Sequence, residues 1–120
     1  MIKDVITNHI IDLAQQLTEA KENPSLNAYT EITTQAHWKV ISLNHQIAYF
    51  KQVLERITED NMYDIALFFL EGVRDYGHIV GSSGKEFMTE DYRKRVKIAR
   101  FWIRLFAQEN ERVGRFSYIF

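Results

Sequence analysis

The chain has 120 residues, 46% hydrophobic and 13% aromatic, with a formal charge of −1 and no cysteine. That length fits one folded domain with a core of its own, and the composition excludes a disordered chain. The missing cysteine excludes disulfides and thiol chemistry, no apolar run (65–70 included) is long enough to span a bilayer, and Met1-Ile2-Lys3-Asp4 does not open a signal peptide, so the expectation is a cytoplasmic protein.

In chain order, Ile2, Ile6, Ile10, Leu13, Leu17 and Ala20 recur at gaps of three and four, which predicts a helix over 2–22. Asn23-Pro24-Ser25 ends it, because proline cannot continue a helix, and Pro24 suits the first turn of the next helix with Asn23 as its cap. Ala36, Val40, Leu43, Ile47, Phe50, Leu54 and Ile57 follow at 4-3-4-3-4-3 spacing, with Ile32 and Tyr29 extending the line upstream. This is a knobs-into-holes seam on a helix over 25–57, roughly 50 Å long if it does not break near Thr33-Thr34 or Ser42. The excess length and the seam together predict a homodimer, against the alternative of a seam inside one bundle.

Thr58-Glu59-Asp60-Asn61 reads as a turn rich in capping residues. A helix over 61–78 follows, apolar nearly all round, with Ile65, Phe68, Phe69 and Leu70 expected inside together with Trp102 and Phe106. Residues 77–84 read as a flexible connection. Thr89, Glu90 and Asp91 are a sound start for a last helix over 89–113, stopped by Gly114, and the apolar tail 115–120 must pack against something. With no hairpin signal, the fold class is all-α: a single-domain bundle of four main helices with an apolar C-terminal tail.

Charge is unevenly spread. Residues 1–80 hold 6 Lys/Arg against 11 Asp/Glu, a formal −5, and residues 81–120 hold 9 against 5, a formal +4. Within the last helix Arg93, Lys97, Arg100 and Arg104 fall at i, i+4, i+7 and i+11, one side of the cylinder, with Val96, Ala99, Ile103 and Phe106 expected on the buried side. These four cations are the candidate partner- or anion-binding residues. The plain alternative is a solvated face paired internally with carboxylates such as Glu55, Glu59 or Asp64. A functional stripe points first to an acidic protein partner. Nucleic acid or a nucleotide comes second, because the sequence pI of about 6.4 and the acidic remainder oppose a long polyanion.

Other constellations carry less. Glu71, Asp75 and His78 share a helical face at i, i+4 and i+7, but bundle metal sites take Glu-x-x-His pairs from several helices and this chain has none, so no metal or cofactor is expected. His9 and Asp12 read as a surface pair, and His37 and His45 lie about 80° apart around their helix with no shared carboxylate. Gly81-Ser82-Ser83-Gly84-Lys85 lacks the spacing of a phosphate loop. No catalytic residue is assigned. The expectation is a small non-enzymatic protein-binding module, with a size that suits an inhibitor, immunity or phage accessory protein.

Overall fold

A computed structural model describes residues 1–27 and 31–120, with side chains at 1–26, 35–85 and 88–120. The fold is all-α, with four main helices and a short C-terminal piece: α1 (Ile2–Lys21), α2 (Glu31–Arg56), α3 (Met62–Ser83), α4 (Glu86–Phe106) and α5 (Glu111–Gly114). No described helix is long and apolar enough to cross a membrane. Tertiary contacts gather into two compact units, Met1–Arg56 and Ile57–Phe120.

In the first unit α1 lies along α2. The apolar gaps of α1 do what they predict: Ile2, Ile6, Leu13 and Ala20 are buried, with Ile10 and Leu17 half-buried. Lys21 in the last turn suits the negative end of the helix. Pro24 opens not a long helix but a single 3₁₀ turn, Pro24–Asn27, and the Asn23 side-chain oxygen accepts from the Ser25 N–H at 2.9 Å. The second helix therefore begins at Glu31 rather than at 25. It runs unbroken past Thr33-Thr34 and Ser42 to Arg56. Buried Ser42 keeps its place because its hydroxyl accepts from the Gln46 side-chain amide at 3.1 Å, a partner one turn away.

Leu43, Ile47 and Phe50 of the heptad seam are buried, with Val53 beside them. His9 meets Phe50 edge-on, with ring centroids 4.7 Å apart, so the middle of α1 packs against the C-terminal half of α2. The seam is thus occupied by α1, and heptad spacing no longer argues for a homodimer. Its upstream extension through Tyr29 and the side chain of Ile32 lies outside the described residues.

The second unit starts at the 58–61 turn. There the Thr58 N–H donates to Asn61 Oδ1 at 2.7 Å and the Asn61 N–H to Thr58 Oγ1 at 3.2 Å, a reciprocal pair that satisfies two backbone donors. The third helix does not stop at 78. It continues through the expected connection to Ser83 and ends at Gly84, whose φ of 64° is the left-handed turn that glycine takes without strain. Only 84 and 85 separate it from α4, which begins at Glu86 instead of Thr89. Phe68 also departs from expectation: it is 84% exposed, while Ala66, Leu67, Leu70 and Val73 are buried and Ile65 and Phe69 half-buried.

The last helix is shorter than 89–113. It closes at Phe106, and Asn110 in an extended conformation starts a separate turn by accepting from the N–H groups of Arg112 (3.0 Å) and Val113 (3.3 Å). Gly114 is not a stop, because its φ of −58° is helical and the chain passes into a second 3₁₀ turn, Arg115–Tyr118. In the apolar tail Phe116 is buried and stacks on Phe120 at 6.4 Å, whereas Tyr118 is 94% exposed.

One glycine matters to the packing. A Cβ at Gly77 would come within 2.9 to 3.0 Å of the Tyr92 ring, so α4 reaches the backbone of α3 at this point. Nothing lies within 4 Å of a Cβ at Gly72. Gly72→Ala should therefore stabilise by about 0.5–1 kcal/mol through helix propensity alone. Gly77→Ala has the same propensity gain but meets an overpacking cost of about 1–3 kcal/mol, for a net loss of about 1 kcal/mol. Urea denaturation of the two variants should give opposite signs. Equal stabilisation would show that Tyr92 does not rest on Gly77.

Candidate functional site

The four candidate cations sit where the spacing places them, on one uninterrupted helix and all exposed to solvent. At 100° per residue Arg93, Lys97, Arg100 and Arg104 fall within an arc of about 60° and span about 16 Å along the axis. The buried line lies opposite and comprises Ile98, Ala99, Trp102 and Phe106, with Arg95 half-buried in register. Val96 and Ile103, expected on the buried side, are only half-buried. The inner face is rotated by about 60° from the expected one, which centres the cations on the outer face.

A cluster of charged and aromatic groups lies on the inner side at the start of α4. Lys94 Nζ and Arg95 Nε both lie 3.0 Å from the half-buried Asp91 carboxylate. The Arg95 guanidinium also sits 5.0 Å over the Tyr76 ring of α3, and Tyr76 stacks on Tyr92 at 6.3 Å. Burial pushes the Asp91 carboxyl up, but Lys94, the Tyr76 hydroxyl and Arg95 outweigh it and hold the group at about 2. Burial and the Asp91 charge in turn raise Tyr76 above its ordinary value. This cluster was not foreseen from the sequence, which read Asp91 only as an acid at a helix start.

The cations of the stripe differ in how far they are engaged. Arg93 donates to Glu90 at 2.9 Å, one turn back, and is 68% exposed, a contact of little energetic weight. Arg100 Nε donates to the backbone oxygen of Phe120 at 3.1 Å. Lys97 and Arg104 have neither ion pair nor side-chain hydrogen bond among the described residues. Within the second unit, the expected internal partner Asp64 takes no stripe cation in an ion pair among the described residues.

Elsewhere, no group of three His, Asp or Glu among the described residues is placed to hold a metal. Asp75 is paired with Arg74 at 3.3 Å, and Asp12 accepts from the Gln16 amide at 2.8 Å. At the far end of α4 the Tyr63 hydroxyl donates to Glu109 at 3.1 Å and its ring meets Phe106 at 4.8 Å. No family model, curated protein or solved structure matches the chain.

Asp91 generates a pH prediction. Its carboxyl ionises near 3.8 in the unfolded chain and near 2 in the folded one, so the folded state gains from it fully above 3.8 and loses that gain as pH falls through 2. Solvent screening at this half-buried site reduces the gain to about 1 kcal/mol. Asp91→Asn should remove it at neutral pH and flatten the stability curve between pH 4 and 2, as read by urea midpoints across that window. An unchanged curve would show that the carboxylate does not anchor α4.

Proposed function

We propose that this protein is a non-enzymatic binding module that docks an acidic protein partner through the outer face of α4. The observation that carries the reading is the state of Lys97 and Arg104: two exposed cations about two turns apart on a continuous helix, with no internal counter-charge among the described residues. Arg93 precedes them and Arg100 lies between them, each held by one light contact that a partner's carboxylate can replace. Such a face steers an oppositely charged surface towards it and raises the encounter rate. An acidic protein is favoured over a long phosphate backbone because residues 1–80 carry a formal −5, which repels a polyanion along its length yet orients a compact partner. A module of this kind acts as inhibitor, immunity or phage accessory proteins do, by occupying a partner's surface rather than by chemistry.

Lys97→Glu/Arg104→Glu is the discriminating variant. Arg100→Glu is a poorer probe, since it also releases the tail. The wild type should retain a protein from source cells that the double reversal does not, with circular dichroism unchanged between them. Salt should then act mainly on the association rate of the purified pair. Recovery of nucleic acid instead, with log affinity falling against log salt at a slope approaching four, would transfer the stripe to phosphate recognition. Equal capture by both proteins would reduce the stripe to a solvated face.

A further inference from the structure

On the second unit, α3, α5 and the tail enclose a cleft of about 150 Å³, lined by Leu67, Glu71, Arg74, Arg112, Arg115, Phe116 and Ile119. Leu67 and Phe116 are buried and form its apolar floor, while Ile119 is 49% exposed at the edge. Arg74 stands as a wall, its guanidinium 5.7 Å over the Phe116 ring and its Nε on Asp75. Arg112 and Arg115 are exposed and have no ion pair among the described residues. Three arginines against one glutamate leave the lining at a formal +2.

Size and charge together define the occupant. Cofactor-sized pockets run to about 300–1,000 Å³, whereas a cavity near 150 Å³ accommodates one benzene-sized group. That is the volume of a single apolar side chain. The rim asks for negative charge on either side of it, in the planar geometry that arginine forks match. Aromatics and arginines around a small pocket are what binding hot spots are made of. The cleft also adjoins the stripe through the tail, because Arg100 holds the Phe120 oxygen while Ile119 lines the cleft.

We infer that this cleft is a second docking site, taking one aliphatic side chain of an acidic peptide segment whose flanking carboxylates are held by Arg112 and Arg115. The inference deepens the acidic-partner reading and rests on it, but it uses different residues. The probe is the blocked pentapeptide Asp-Glu-Leu-Asp-Glu, titrated into ¹⁵N-labelled full chain and followed by amide shifts. Shifts should centre on Leu67, Phe116 and Ile119. Replacing the peptide's leucine by alanine should weaken binding about tenfold or more, since it removes buried apolar area. Arg112→Glu/Arg115→Glu should abolish the shifts, while Lys97→Glu/Arg104→Glu should leave affinity within about twofold.

Equal binding of the alanine peptide, or no shift in the cleft at millimolar peptide, overturns the inference. So does a response centred on Lys97 and Arg104, which would retain the α4 face and remove the cleft. So does perturbation of the cleft by a thymidine decamer but not by the pentapeptide. Cleft shifts from the pentapeptide, combined with unimpaired partner capture by the stripe reversal, would keep the cleft and discard the α4 face.

Discussion

The Asp91 carboxylate is the contact on which the arrangement of the second unit depends. It is partly withdrawn from water and satisfied by Lys94, Arg95 and the Tyr76 hydroxyl, so that two of the cations in the basic half of the chain are engaged in structure. The two ion pairs lie within α4, one turn apart, and the link to α3 is the Tyr76 ring and hydroxyl, which meet Arg95 and Asp91 only when α4 turns this side inwards. Fixing Arg95 on the inner side fixes the rest by helical geometry. Ile98, Ala99, Trp102 and Phe106 follow inwards, and the four stripe cations, on the opposite arc, are left facing water.

Much of the fold was legible from spacing because hydrophobic burial enforces it. The six apolar positions of α1 and the seam of α2 are read directly from gaps of three and four, since a helix with one neighbour must place its apolar residues on one stripe. The errors cluster where local propensity and tertiary context disagree. Three glycines and two serines in 77–84 look like a connection, yet α3 runs on to Ser83 and only Gly84 breaks it, because Gly77 lies at the crossing with Tyr92 and Val80 is buried, so this stretch packs as helix. Conversely 107–110 contains good helix formers, and α4 still ends at Phe106, because Asn110 caps the next turn. Phe68 was placed inside because its neighbours are apolar all round; α3 has solvent on one side, and something had to face it.

The candidate site was legible only in part, for a related reason. The stripe lies within one element, so its period of 3.6 is visible in the sequence. The Asp91 cluster joins residues fifteen positions apart on two helices, and the arginine-rimmed cleft joins 67–74 to 112–119. No periodicity encodes such meetings. The charge asymmetry did contain a hint, since an excess of arginine over the acids available to neutralise it leaves some cations turned outwards.

The contact between Tyr92 and Gly77 has an evolutionary consequence. Space at the crossing of α3 and α4 is limited, so bulk at position 77 competes with bulk at position 92. A chain of this fold can carry glycine opposite a large ring, or a methyl opposite a smaller side chain, and the intermediate with both is penalised. Substitution at either position is therefore conditional on the other: the two sites form an epistatic pair, and the route between the two solutions that shrinks the ring first avoids the penalty.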